Sequence, residues 1–240
     1  MTTDEKENAL ILCGHGSRSQ SYLKDFLSLK EKIQRKFKHL EVSHCFIEIN
    51  QPTIEECLKK LSKQYKRIFF FPLLIFEGKH MIEDIKKNVN NISNLLSNNI
   101  ILIDKISLVD EVLPITSKII KEKYSNRFDI LITSCSFSKK KEVKKELMIY
   151  TKKLSKLISI KKMIFCFVGE EKQILKEINS NKDNRFLLHP IFFFDGYLFE
   201  KSIKEIEKST NSVKLLPISH YKEIINFLTK KLVSAMQTFD

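Results

Sequence analysis

The sequence is 240 residues long, enough for one large domain or for two domains of about 120 residues. Hydrophobic residues make up 42% and charged residues 30% of the chain, and glycine and proline occur five times each, which excludes disordered, linker-rich and collagen-like chains. The net charge is +13, but only five of the 42 basic residues are arginine and they are scattered. We therefore expect no nucleic-acid partner, and interpret the lysines as solvated helix faces or as attraction for a polyanionic small substrate.

Neither a membrane segment nor a disulfide framework is predicted. Residues 1–8 are polar and acidic, and the longest apolar run, residues 68–76, is interrupted by a proline and is far shorter than the ~20 residues that span a bilayer. The five cysteines form no CxxC pair, which argues against disulfides and a structural zinc site. We expect a cytoplasmic protein that does not bind membranes.

Apolar periodicity predicts strands alternating with helices along the whole chain. In the first half, strands are predicted over residues 9–13, 41–49, 67–75 and 100–103, and helices over residues 19–38, from Thr53 onward, and over residues 81–89 and 108–124. In the second half, strands are predicted over residues 128–133, 163–168, 186–193 and 213–216, and helices over residues 139–157, 170–178, 198–206 and 221–236. Strict alternation predicts an α/β protein with parallel sheets flanked by helices.

The two halves of the chain also resemble each other. The segment FPLLIFEG at residues 71–78 and the segment HPIFFFDG at residues 189–196 share a proline, four apolar residues, an acid and a glycine, and they lie half a chain length apart. A repeat of this period favours a duplicated domain. We predict an N-terminal domain over residues 1–125 and a degenerate C-terminal repeat over residues 126–240.

Three chemically active residues follow predicted strands of the first half. His15 stands between two glycines directly after the first strand, Glu48 ends the second strand, and His80 follows Gly78 after the third. In open parallel sheets, ligands bind outside the carboxyl ends of the strands, so these side chains are expected at one edge. Two imidazoles and a carboxylate could hold a divalent first-row metal or move protons near pH 7.

These segments resemble those of the sirohydrochlorin chelatases, and the match is specific over residues 9–90. The matching segments are GHGSR at residues 14–18, FIE at residues 46–48 leading to Pro52, FPLLIFEGKH at residues 71–80, and EDI at residues 83–85. The resemblance implies insertion of Fe²⁺ or Co²⁺ into sirohydrochlorin, an octacarboxylate tetrapyrrole, without ATP, in sirohaem or cobalamin biosynthesis. It also implies two tandem chelatase-like domains, each with a small four-stranded parallel sheet, facing each other across a cleft.

The resemblance also implies roles for individual residues. His15 and His80 match the family's metal-binding and catalytic histidines, and Glu48 matches an acidic position that lines the site. The expected substrate-binding residues are Ser17, Arg18 and Lys79. The divalent metal is then a substrate, no organic cofactor is implied, and a monomer is expected because two domains are already fused. The resemblance does not decide whether the metal is iron or cobalt. It also leaves open which histidine is the metal ligand and which is the base.

The second half departs from the family pattern. The repeat places Cys135 where the first half has His15, and Leu198 where it has His80. We therefore expect a degenerate second metal centre, with Cys135 as a buried thiol and His189 packed within its strand. The phenylalanine-rich stretches at residues 69–71 and 192–194 are expected in the core, although Phe194 or Tyr197 could touch a macrocycle. The histidines expected at the surface or at helix ends are His39, His44 and His220.

Two other function classes compete with the chelatase. A non-catalytic tetrapyrrole or metal carrier could keep the fold without turnover, although it would have less need of proton-accepting histidines. A phosphate-binding enzyme could use the loop GHGS at residues 14–17, but this loop has neither the G-x-G-x-x-G spacing nor the GK[ST] of a P-loop.

Overall fold

Two parallel sheets are present in the part of the chain that the structure describes. The structure is a computed structural model and describes residues 6–76, 79–96, 99–124, 128–170, 174–175, 178, 183–209 and 211–238. The strands are β1 (Lys6–Gly14), β2 (Glu41–Phe46), β3 (Tyr65–Pro72), β4 (Asn99–Leu102), β5 (Ile130–Cys135), β6 (Lys162–Phe167), β7 (Arg185–Pro190) and β8 (Asn211–Lys214). The first sheet has the order β2-β1-β3-β4 and the second the order β6-β5-β7-β8.

Helices follow the strands in both halves. They are α1 (Gln20–Lys36), α2 (Ile54–Leu61), α3 (Lys79–Leu96), α4 (Leu113–Lys123), α5 (Lys141–Leu157), α6 (Tyr197–Ser209) and α7 (Lys222–Gln237). A π-helical turn, Leu108–Val112, leads into α4, and a 3₁₀ turn, Ile218–His220, precedes α7. None of the helices in the described ranges is long and apolar enough to cross a bilayer.

The apolar runs in the sequence explain which strands are central. β1 and β3 pair with each other and with one further strand each, and their apolar side chains are buried. Phe69, Phe70 and Phe71 are fully buried, which confirms the predicted core role of this run. β5 and β7 hold the same positions in the second sheet. The common strand order of the two sheets agrees with the internal repeat in the sequence.

A capping box begins α2, at the predicted start of this helix. The side chain of Thr53 accepts a hydrogen bond from the N–H of Glu56 at 3.2 Å, and the Glu56 carboxylate accepts one from the N–H of Thr53 at 2.8 Å. This reciprocal pair satisfies two amides that the first turn of a helix leaves open. It fixes where the loop after β2 ends.

The chain forms two compact units whose limits differ from the single predicted boundary. One unit comprises Met1–Ile106 with Ile225–Asp240, and the other comprises Ser107–Ile224. α4 therefore belongs with the second sheet, where Tyr124 and Tyr221 place their hydroxyls 3.3 Å apart. Most of α7 belongs with the first unit. The internal repeat in the sequence corresponds to the two sheets, but it does not show that α4 belongs to the second unit and most of α7 to the first.

Several predictions from the sequence differ from the structure or fall outside the described residues. The strand predicted over residues 41–49 is too long, because β2 ends at Phe46 and the chain turns at Ile49, whose φ is 69°. His44, predicted at the surface, lies in β2 and is half-buried, with its ring 6.0 Å from that of Phe26. The helix predicted over residues 170–178 lies mostly outside the described residues.

Candidate active site

The loops after β1 and β2 meet at the carboxyl end of the first sheet. The N–H of Ile47 donates to the carbonyl of Gly14, and the N–H of Glu48 donates to the carbonyl of His15, both at 3.0 Å. The backbone pairing of β1 with β2 thus continues past the ends of both strands. His15 and Glu48 are brought side by side by this pairing, as the positions of their strands predict.

The side chains of His15 and Glu48 are in contact and open to solvent. Nδ1 of His15 lies 3.2 Å from Oε1 of Glu48, and the two side chains are 43% and 56% exposed. A neutral imidazole whose Nδ1–H faces a carboxylate presents the lone pair of Nε2, and metal-binding histidines usually donate their other ring N–H to such an acceptor. The pair can therefore offer one ligand nitrogen and a carboxylate that accepts protons.

Gly16 allows the two loops to touch. Its φ is +100°, and a Cβ at this position would lie 1.8 Å from the carbonyl oxygen of Glu48. Side chains larger than hydrogen are excluded by this distance, and the left-handed backbone adds strain for any L-residue. The glycine that follows His15 is therefore needed for the approach that places His15 beside Glu48.

Asn50 ties the same two loops together through its side chain. Its Oδ1 accepts a hydrogen bond from the N–H of Ser17 at 2.6 Å, and its own N–H donates to the carbonyl of Glu48 at 2.7 Å. Asn50 is not among the site residues predicted from the sequence. Its place between the strand-end Glu48 and Pro52, where turns form, is the available signal.

Three backbone amides of the glycine loop already donate hydrogen bonds within the protein. The N–H of Gly16 donates to the hydroxyl of Tyr22 at 3.3 Å, the N–H of Ser17 donates to Asn50, and the N–H of Ser19 donates to the hydroxyl of Ser17 at 3.1 Å. Burial raises the pKa of Tyr22 to about 12, so this hydroxyl stays neutral. Loop amides that already have protein acceptors do not form an anion nest, which disfavours the phosphate-binding hypothesis.

The third predicted ligand, His80, lies at the start of α3, after the segment that follows β3. His80 and Lys79 are the first residues of α3, but their side chains lie outside the described residues, as does Gly78. The preceding segment is fixed from two sides: the N–H of Leu73 donates to the carbonyl of Cys13 at 2.8 Å, and Nζ of Lys105 donates to the carbonyl of Ile75 at 3.2 Å. Among the described side chains, no three His, Cys, Asp or Glu residues form a metal-binding group.

The remaining predicted site residues of the first unit lie on the glycine loop. Arg18 has an exposed side chain, and Ser17 is half-buried with its hydroxyl accepting from Ser19. The loop thus places one solvent-exposed cation three residues from His15. A guanidinium in this position is well suited to a carboxylate of a ligand.

The second sheet has no imidazole at the equivalent edge of its first strand. Cys135 ends β5 and is fully buried, and burial raises the pKa of its thiol well above the ordinary range. His189, in β7, is 2% exposed, and burial lowers its pKa to about 3. Its Nε2 lies 2.8 Å from the hydroxyl of Tyr150. Burial of both groups agrees with the expected packing of Cys135 and His189.

Exposed apolar side chains occupy part of this second edge. Tyr197 is 67% exposed at the start of α6, and Leu198, in the position that the repeat assigns to a histidine, is 43% exposed. Phe194 is buried, so of the two aromatic residues considered for a macrocycle, only Tyr197 is accessible. His39 and His220 are exposed, as predicted.

Comparisons with known proteins agree with this architecture. The model of the CbiX family matches residues 9–123. The sirohydrochlorin cobaltochelatase of Sulfolobus acidocaldarius is 35% identical over 86 residues, which cover 35% of this chain and 68% of the relative. The sirohydrochlorin ferrochelatase of Bacillus subtilis is 23% identical over 211 residues, which cover 84% of this chain and 80% of the relative. The structure of SirB from Bacillus subtilis with Fe³⁺ shares the fold, with a TM-score of 0.78 at 19% identity over 95% of each chain.

Two parallel sheets of one strand order, each flanked by helices, give this chain an α/β fold that it shares with SirB. The chain belongs to the sirohydrochlorin chelatase family.

Proposed function

We propose that this chain is a lyase that inserts a divalent metal, Fe²⁺ or Co²⁺, into sirohydrochlorin without ATP. The contact between His15 and Glu48 at the carboxyl edge of the first sheet carries this proposal, because it joins a metal-binding nitrogen to a proton acceptor in a solvent-accessible place. Membership of the chelatase family supplies the substrate class. The pathway is that of sirohaem or of cobalamin.

Insertion requires both a metal ligand and a proton acceptor. As the ion enters the ring, two pyrrole N–H bonds break, bonds form between the ion and all four ring nitrogens, and two protons leave. In our proposal Nε2 of His15 binds the incoming ion while Nδ1 is oriented by Glu48, and the Glu48 carboxylate takes up a proton. His80 is the second imidazole of the set and, by family resemblance, binds metal or accepts the other proton.

The substrate's carboxylates require cations near this edge. Arg18 is the favoured partner, because its exposed guanidinium can bind a carboxylate with two parallel hydrogen bonds. Lys79 and Ser17 are proposed to assist it. The net charge of +13 then serves to attract a polyanionic tetrapyrrole at a distance.

The second sheet is not proposed to hold the metal. Its strand-end thiol is buried, whereas Tyr197 presents an exposed aromatic ring. The oligomeric state, the cytoplasmic location and the absence of an organic cofactor remain predictions from the sequence.

A multiple-turnover assay tests the function. Substoichiometric protein is mixed anaerobically with sirohydrochlorin and Fe²⁺ or, side by side, Co²⁺, and the absorption spectrum of the tetrapyrrole is followed. We expect conversion of many equivalents of substrate at a rate well above the protein-free background. Conversion that stops at one equivalent would instead identify a carrier, and a background rate with either metal would contradict the proposal. The faster metal assigns the pathway.

A further inference from the structure

Ile49 adopts a backbone conformation that isoleucine normally avoids. Its φ is 69°, in the left-handed region where β-branched side chains are rare. The N–H of Asn50 donates to the carbonyl of Glu48 at 2.7 Å, so Ile49 is the central residue of a tight, strained three-residue turn. Ser159, the other described non-glycine residue with a positive φ, is small and polar.

Folding alone does not account for an isoleucine at this position. The Ile49 side chain is 57% exposed, so it removes little apolar surface from water. Glycine would relieve the backbone strain, and asparagine tolerates this region far better than a β-branched residue. Strained residues of this kind cluster at functional sites, where the surrounding structure holds them in place.

The surroundings of Ile49 indicate what the side chain could contact. Ile49 directly follows Glu48, and the turn is held to the His15 loop by the bond from the N–H of Ser17 to Asn50 at 2.6 Å. Arg18 exposes a cation on the same loop. An apolar side chain next to Glu48, on a turn that is hydrogen-bonded to the loop carrying Arg18, suits a ligand with an apolar face and an anionic rim, and a carboxylated tetrapyrrole has both.

We propose that Ile49 is a substrate-contacting residue whose side chain packs against the face of the tetrapyrrole and holds the ring at His15 and Glu48. This inference rests on the proposed function, because it takes its ligand from it. The strained turn presents the side chain before the substrate arrives, so little ordering remains to be done on binding.

Binding of metal-free sirohydrochlorin tests the inference without requiring turnover. The tetrapyrrole is titrated with wild-type protein, Ile49→Gly and Ile49→Val, and its absorption or fluorescence gives Kd. We expect Ile49→Gly to raise Kd by about three- to tenfold, with Ile49→Val between it and the wild type. The unfolding midpoint of Ile49→Gly should stay within ~3 °C of the wild type or exceed it.

Two control variants test whether relief of backbone strain, or loss of exposed apolar surface, changes Kd when it occurs away from Ile49. Ser159→Gly relieves a positive φ away from the candidate site, and Met148→Gln removes an apolar group that is 43% exposed on α5. Both should leave Kd unchanged. An unchanged Kd in Ile49→Gly, with wild-type protein that binds and inserts metal, would overturn the inference alone. A midpoint lowered by more than ~5 °C in that variant would overturn it too, by assigning Ile49 to the fold. Wild-type protein that neither binds nor converts sirohydrochlorin would overturn the proposed function and this inference together.

Discussion

A methyl group at Gly16 would lie 1.8 Å from the carbonyl oxygen of Glu48. The two loops that carry the candidate site are therefore in backbone contact. The position of Glu48 relative to His15 depends on residue 16 being a glycine, which has no side chain. The same contact explains why the short loop between β1 and α1 needs a glycine at a position with φ of +100°.

Gly16→Ala should abolish most of the insertion activity. The new Cβ must push the Glu48 backbone away, so the side-chain contact of 3.2 Å between His15 and Glu48 is lost. We expect the free energy of unfolding to fall by more than ~2 kcal/mol, measured by urea denaturation alongside the rate.

Gly169→Ala is the matched control for backbone strain. Gly169 has a φ of +103°, but a Cβ there would meet no described atom within 4 Å. This variant should lose about 1 kcal/mol of stability and keep its activity. Equal loss of activity in both variants would show that general destabilisation, and not the contact with Glu48, is responsible.

Asn50→Ala should lower the insertion rate through loss of positioning. The N–H of Ser17 loses its acceptor at 2.6 Å, and the loop that carries His15 is no longer tied to the loop that carries Glu48. We expect kcat to fall by about tenfold. Asn50→Asp keeps an oxygen acceptor and should recover most of the rate, whereas failure of this rescue would assign Asn50 another role.

Glu48→Gln should lower the insertion rate, because it removes the proton acceptor while keeping the shape of the site. The amide is nearly isosteric with the carboxylate and can still accept a hydrogen bond from Nδ1 of His15, but it cannot take up a proton under assay conditions. The expected loss in kcat/KM is about 10- to 100-fold. Glu55→Gln, an exposed change on α2, is the control, and equal rates for the two variants would contradict the role of Glu48.

Stability should fall with acidification between about pH 6.5 and pH 5 because of His189. Burial lowers the pKa of His189 from 6.5 to about 3, so in this range the unfolded chain takes up a proton that the folded chain does not. Each pH unit below 6.5 then costs about 1.4 kcal/mol. Burial also lowers the pKa of His44, which adds to the same trend.

The slope of stability against pH identifies the responsible histidine. His189→Gln keeps a hydrogen-bonding group for the hydroxyl of Tyr150 and should flatten the slope, whatever its effect on absolute stability. His39→Gln, a change at an exposed histidine, should leave the slope as it is. A wild-type slope in His189→Gln would mean that His189 is protonated in the folded state.

Periodicity and repeats predicted the fold well, because buried strands and amphipathic helices leave strong local patterns. The parallel order and the two sheets followed from the alternation of elements, and the packing of His189 followed from its place in an apolar strand. The exchange of α4 and α7 between the compact units was not predictable, since it depends on packing between segments far apart in the chain.

The sequence predicted that His15 and Glu48 lie at one edge of the sheet, but it did not predict the contacts that support them. His15 and Glu48 were expected at one edge because both follow parallel strands, and the structure places them in contact. The turn at Ile49 and the side-chain bond of Asn50 were missed, because a positive φ at isoleucine contradicts the local preference on which sequence patterns depend. His44 was predicted at the surface because its side chain is ionisable. In the structure it is half-buried, because a histidine in an edge strand can pack on the ring of Phe26.

The most direct test of the account is the rate of metal insertion by wild-type protein and His15→Ala under identical anaerobic conditions. We predict that wild-type protein converts sirohydrochlorin and Fe²⁺ or Co²⁺ in many turnovers. His15→Ala should retain the fold, checked by circular dichroism and the unfolding midpoint, but insert metal at least about 100-fold more slowly. A folded His15→Ala protein with the wild-type rate for both metals would contradict the central claim that the His15–Glu48 pair performs the insertion.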